Sequence, residues 1–179
     1  MLTETQKHTL LDLARRAVRS RVAGGARPVR PAGIDLPAAS GVFVTIKRRG
    51  ELRGCLGTLE SQGPLADDVV RCAADAASED PRFVRVAASE LPELSVEVSV
   101  LGPLEPVDPI DPAAIAIGRH GLVAEQGHRR GLLLPQVAGE HGWSAEEFLQ
   151  QTCLKAGLRA DAWRHGARIW RFDAEVFGE

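Results

Sequence analysis

Residues 50–59 read Gly50-Glu51-Leu52-Arg53-Gly54-Cys55-Leu56-Gly57-Thr58-Leu59, and just before them Val42, Val44 and Ile46 alternate with Phe43, Thr45 and Lys47. Strict alternation of apolar and polar side chains is the signature of a half-buried strand, so residues 41–47 form one strand and residues 48–51 turn the chain back into a second. Because side chains on a strand alternate with period two, the returning strand places Leu52, Gly54 and Leu56 on one face and Arg53, Cys55 and Gly57 on the other. Leu52 and Leu56 are expected to share the core with Val42, Val44 and Ile46. That leaves Arg53 and Cys55 side by side on the opposite face, with Gly57 opening a gap beside them. The turn residues do not fix the register, and a bulge at Gly54 would change the parity. Glycine weakens a strand interior, so two of them mark a bulge or the close approach of a backbone or ligand.

Working outward, residues 3–22 show helical periodicity through Leu10, Leu13, Ala14, Ala17 and Val18, with Thr3 and Gln6 at capping-box spacing. Residues 24–37 are rich in Gly, Pro and Arg without periodicity, the composition of an irregular connection. Pro64 suits the first turn of a helix carrying Leu65, Val69, Cys72 and Ala76, and Pro81 stops that helix near Ser78. Residues 94–101 alternate as a further strand, with Glu97 in its middle on the polar face. Residues 115–117, 121–125 and 132–134 read as three short strands of a meander. Ser144 and Glu147 cap a helix through Phe148, Leu149, Thr152, Cys153 and Ala156, with Gly157 at its end. A final strand covers residues 167–172. Hairpins and meanders among helices give an α+β fold with a mainly antiparallel sheet.

The totals exclude several classes. The chain of 179 residues is 44% hydrophobic and 26% charged, a globular composition sufficient for one domain. A net charge of -2 and aromatic content of 4%, without tyrosine, disfavour nucleic acid as a partner, despite a local basic cluster at Lys47, Arg48, Arg49 and Arg53. No apolar run reaches membrane-spanning length and no leader pattern opens the chain, so a cytoplasmic location is expected. Three widely spaced cysteines, Cys55, Cys72 and Cys153, are expected as free thiols. No phosphate-binding loop, dinucleotide-binding glycine motif or serine elbow is present. The five histidines have no metal-ligand spacing, so neither a metal nor a cofactor is expected.

Cys55 is the leading candidate for chemistry. Arg53, one strand repeat away, is placed to lower its pKa and raise the thiolate fraction. A nucleophile, a redox-sensitive thiol, a ligand contact and a small packing residue all fit the pattern, and no histidine close in sequence supplies a base. Asp80-Pro81-Arg82-Phe83 is a turn presenting an acid and a base together, or a self-capped turn with a buried Phe83. His120 occupies a glycine-flanked turn. Cys72 and Cys153 fall on helix core positions.

Leu52-Arg53-Gly54-Cys55-Leu56-Gly57 resembles the signature hexapeptide of the AMMECR domain family, whose usual form has isoleucine where this chain has Leu56. The resemblance continues through Asp80-Pro81-Arg82-Phe83, the strand with Glu97, Gly121-Leu122, Leu132-Leu133-Leu134-Pro135-Gln136-Val137, Trp143, Lys155-Ala156-Gly157-Leu158 and Trp163. It implies one α+β domain spanning the chain, its antiparallel sheet flanked by helices, with a smaller lobe. It also implies a three-protein system, the AmmeMemoRadiSam system, shared with a Memo-like protein and a radical SAM protein. It points to a functional cleft around residues 52–57 and assigns no catalytic role to any position; from the residues themselves, Arg53, Gly54, Gly57, Asp80, Arg82, Glu97 and His120 are ligand-contacting candidates and Cys55 with Arg53 is the reactive pair. Two readings stand beside each other: a component of that modification system, and a binding or adaptor module for a peptide, metabolite or protein. Nucleic-acid contact through the basic cluster is a weaker third.

Overall fold

The computed structural model describes residues 1–178. The chain divides into two compact units, residues 1–101 with the chain end from Glu175, and residues 102–174. Helices and strands are mixed and the strand pairs described below are antiparallel, so the fold is α+β.

The first unit contains α1 (Glu4–Ala23), β1 (Gly41–Arg48), β2 (Glu51–Thr58), α2 (Leu65–Ser78), a 3-10 turn at Ala88–Glu93 and β3 (Leu94–Leu101). Thr3 and Gln6 close the expected capping box on α1. β1 lies between β2 and β3, which leaves β2 as an edge. Both helices pack on one face of this sheet. Leu10, Leu13 and Ala17 of α1 and Val69, Cys72 and Ala76 of α2 are buried with Val42, Val44, Ile46, Val96 and Val98. Removing each large aliphatic side chain from water contributes about 1.5–3 kcal/mol, so this layer defines which face of the sheet is core.

The β1–β2 turn uses Arg49 at φ 54° and Gly50 at φ 86°. Positive φ at both central residues gives the strand twist that a two-residue hairpin needs. The register then slips: Ile46 pairs with Gly54 but Lys47 pairs with Leu52, so Arg53 is the extra residue of a bulge. This corrects the expected role of Leu52. One inserted residue inverts the parity before it, and Leu52 turns outward with 45% of its surface exposed, while Leu56 still packs against the core.

The second unit contains β4 (Glu105–Pro106), a 3-10 turn at Pro112–Ala114, β5 (His120–Gln126), β6 (Arg129–Leu133), α3 (Pro135–His141), α4 (Ala145–Lys155), a 3-10 turn at Ala162–Arg164 and the first part of β7 (Arg168–Gly178). β5 lies between β6 and β7, and β4 pairs with β7. Residues 115–117 are not a strand. Ile115 is extended and buried, but the chain turns directly after it, with the Arg119 and His120 N–H groups donating to the Ala116 carbonyl. The periodicity does not predict α3, because its seven residues are too few to show a periodic apolar face; Pro135 at its first position and left-handed Gly142 at its end are what define it. β7 runs past the expected residue 172, and its end belongs to the first unit, with Gly178 against Glu97 and Val96 of β3.

Candidate functional site

Cys55 lies on edge strand β2, directly opposite Thr45 of β1, with its side chain on the face away from the helices. Its outward backbone groups are satisfied by the turn that follows α2. Asp80 Oδ2 accepts the Cys55 N–H at 2.9 Å, and Arg82 Nη2 donates to the Cys55 carbonyl at 3.3 Å. The same carboxylate binds Arg82 through its backbone N–H (3.0 Å), Nε (3.0 Å) and Nη2 (2.7 Å). These donors hold the Asp80 pKa down at about 2, the Arg82 guanidinium contributing most. The turn residues read from the sequence as an acid–base pair are therefore brought together at Cys55.

Arg53 is held elsewhere. Its Nε and Nη2 donate to the two carboxylate oxygens of Glu90 at 2.9 and 3.0 Å, and its other contacts are the Val84 and Arg85 carbonyls at 2.9 and 3.3 Å. Glu90 also accepts the Ala87 N–H, and its pKa falls to about 2, chiefly through Arg53. Phe83, half-buried, has the Arg53 and Arg82 guanidiniums 5.9 and 5.5 Å from its ring centre. Glu90 had no signal in the sequence, because its partner is 37 residues away and no motif spans the pair.

The thiol environment differs from the expected one. Burial pushes the Cys55 pKa above the ordinary 9.0, and the Thr45 hydroxyl, donating to Sγ at 3.2 Å, and the Arg82 charge pull it down more weakly. Arg82, not Arg53, is thus the cation that acts on the sulfur. A thiol with a raised pKa stays protonated at neutral pH and serves as a small, polarizable contact and weak donor. Thr45 is also opposite Glu97 of β3, which pairs with Lys47 at 3.2 Å. Buried Thr45 and half-buried Lys47, Cys55 and Glu97 therefore form one polar patch on this face of the sheet.

The two glycines have different reasons. A Cβ on Gly54 would lie 2.2 Å from the Ala76 carbonyl oxygen, so glycine is what allows α2 to close on β2. A Cβ on Gly57 would meet the Phe43 ring at 2.4 Å. The gap expected at Gly57 is filled by that ring.

The basic cluster is neutralised within the fold: Lys47 pairs with Glu97, Arg48 with Glu90 and Glu93, Arg49 with Glu93, and Arg53 with Glu90. His120 opens β5 in the second unit, where its Nδ1 accepts the Ala116 N–H at 3.0 Å and Asp173 lies 3.8 Å from Nε2. Burial lowers its pKa. Among the described residues no group of His, Cys, Asp and Glu is placed to hold a metal ion, and no helix is long and apolar enough to cross a membrane.

Comparison with known proteins adds three observations. A family model described as AMMECR1 matches residues 11–177. A protein of Methanosarcina acetivorans is 42% identical, covering 100% of this chain and 94% of its own, and one of Thermofilum pendens is 47% identical, covering 95% and 88%. The crystal structure of an uncharacterized protein from Pyrococcus horikoshii superposes with a TM-score of 0.89 at 41% identity, over 95% of this chain and 89% of that one.

Proposed function

The chain belongs to the AMMECR1 family, and from that premise we propose that it is the cytoplasmic ligand-binding component of a three-protein modification system, working with a Memo-like protein and a radical SAM protein. The family match extends across both compact units, which supports treating them as subdomains of one domain. The working face is the patch of Thr45, Lys47, Cys55 and Glu97. One observation carries this reading: the Cys55 backbone is fixed at its N–H by Asp80 and at its carbonyl by Arg82, while among the described residues its side chain is hydrogen-bonded by Thr45 alone. A segment locked in the backbone with a partly exposed polar side chain is suited to holding a ligand in one orientation.

The raised thiol pKa favours recognition over nucleophilic attack. A second reading, covalent chemistry at Cys55, draws on the Arg82 charge beside the sulfur. The adaptor reading shares this face but needs no product.

Reconstitution of the three proteins, followed by mass spectrometry of the product, tests the proposal. Leaving this chain out is expected to abolish product. Glu97→Gln is expected to lower the rate about tenfold, the scale of one charged hydrogen bond, and Cys55→Ser to retain measurable activity. Complete loss in Cys55→Ser with intact folding would transfer the case to the covalent reading. Full product formation without the chain would overturn the three-protein role and leave the adaptor reading.

A further inference from the structure

On the helix side of the first unit, opposite the face of Cys55, α1 and α2 leave a hollow of about 360 Å³. Ala17 and Val70 form its apolar floor at 2% and 3% exposure, with half-buried Ala74 beside them. The residues at its wall include the small Ser20, Gly24 and Gly25. Three arginines from three separate segments line the same hollow: Arg21 from the last turn of α1, Arg27 from the irregular connection and Arg71 from α2.

We propose that this hollow binds a small organic phosphomonoester, its apolar part on Ala17, Val70 and Ala74 and its phosphate held by Arg21, Arg27 and Arg71. The inference does not rest on the reading of the Cys55 face. Three arginines brought to one hollow by different segments suit an anion with three terminal oxygens; a planar carboxylate is satisfied by one bidentate guanidinium.

Two of the arginines are oriented by carboxylates. Arg71 donates to Asp68 at 2.7 Å, and Asp68 is itself fixed by the Ser61 hydroxyl at 2.6 Å and the Gln62 N–H at 3.2 Å. Arg21 donates to Asp75 at 3.2 Å. Arg21 also offsets the negative end of α1, which would otherwise oppose an anion there. Arg27 is the adjustable member. Its contact is a long 3.4 Å bond to the Asp67 carbonyl, on an exposed stretch anchored by buried Pro28. A ligand phosphate offers this guanidinium a charged acceptor in place of a neutral one.

Titration of the full chain with phenyl phosphate, followed by NMR of the Ala17, Val70 and Ala74 methyl groups, tests the site. Saturable shifts at these methyls are expected with phenyl phosphate, weaker ones with inorganic phosphate, and none with phenol. Arg27→Gln, an exposed substitution that leaves the fold intact, is expected to weaken binding about tenfold or more, the scale of a lost charge-assisted hydrogen bond. Arg71→Gln is expected to do the same, with folding checked by circular dichroism. Shifts that stay linear in concentration, equal shifts with phenol, or undiminished binding in Arg27→Gln would each overturn the proposal.

Discussion

The Asp80 carboxylate accepts the backbone N–H of Cys55 at 2.9 Å, so a turn 25 residues further along the chain completes the hydrogen bonding of an edge strand. Arg82, gripped by the same carboxylate, completes the other half by donating to the Cys55 carbonyl. Asp80 and Arg82 thus stand where a neighbouring strand would, which blocks strand addition at this point and fixes the backbone that carries the thiol.

Asp80→Asn removes the charge that holds Arg82 while leaving the side-chain shape. The Asp80 side chain is 2% exposed and its two oxygens accept four hydrogen bonds, so the expected loss is about 2–4 kcal/mol in urea unfolding. Arg82→Gln is expected to cost about 1 kcal/mol, because its guanidinium side is 47% exposed and screened by water. Equal stability of Asp80→Asn and the parent would refute the role of Asp80 in completing the hydrogen bonding of the edge strand.

Acid should uncover the same contacts. The Asp80 pKa falls from 3.8 to about 2 and that of Glu90 from 4.5 to about 2 on folding. A carboxyl with a depressed folded pKa contributes stability that is complete above its unfolded value and is lost as pH falls through the folded one. Stability is therefore expected to decline between about pH 5 and pH 2, by on the order of 3 kcal/mol from this pair after allowance for solvent screening. Thermal unfolding of Asp80→Asn/Glu90→Gln across that window checks it; the double variant should show a flatter profile, and an unchanged slope would assign the acid lability elsewhere.

What could be read from the sequence follows the range of each interaction. The capping boxes at Thr3/Gln6 and Ser144/Glu147 are complete within four residues, and both appear as expected. The stop after Ser78 follows from Pro81 acting on its neighbour. Leu52 departs from the alternation because its direction depends on a bulge at Arg53, which only pairing with β1 reveals. The same holds for the site. The turn Asp80-Pro81-Arg82-Phe83 was visible, but its attachment to Cys55, the hold of Glu90 on Arg53 and the hydroxyl of Thr45 on the sulfur are all set by tertiary packing. The electrostatic sign at Cys55 reversed for that reason: burial, which no local pattern encodes, outweighs the adjacent cation.

Alkylation of the native protein should separate Arg82 from Arg53. The Cys55 pKa lies above 9.0, raised by burial and lowered in part by the Arg82 charge. Labelling with iodoacetamide is expected to be slow at neutral pH and to rise with an inflection above that of a free thiol. Arg82→Gln should move the inflection higher. Arg53→Gln, which loses the Glu90 contact and no direct partner of the sulfur, should leave it nearly in place. An inflection below 8 in the parent, mapped to Cys55 by mass spectrometry, would contradict the burial argument.

Gly54 and Gly63 make a matched pair for the packing argument. A methyl group on Gly54 would sit 2.2 Å from the Ala76 carbonyl oxygen, against backbone of α2 that carries the core residues Val69, Cys72 and Ala76 and cannot turn aside as a side chain would. Gly54→Ala is therefore expected to cost about 3 kcal/mol or more, at the upper end of overpacking, and to displace Cys55 as β2 moves. Gly63, with nothing within 4 Å of its Cβ position, should accept alanine within about 0.5 kcal/mol. The displacement has its own readout: once β2 moves off the Asp80 acceptor and the Arg82 donor, the thiol of Gly54→Ala should label faster than that of Gly63→Ala at the same pH. If both variants unfold at the same urea concentration and label alike, the close approach of α2 is not what requires glycine in the middle of this strand.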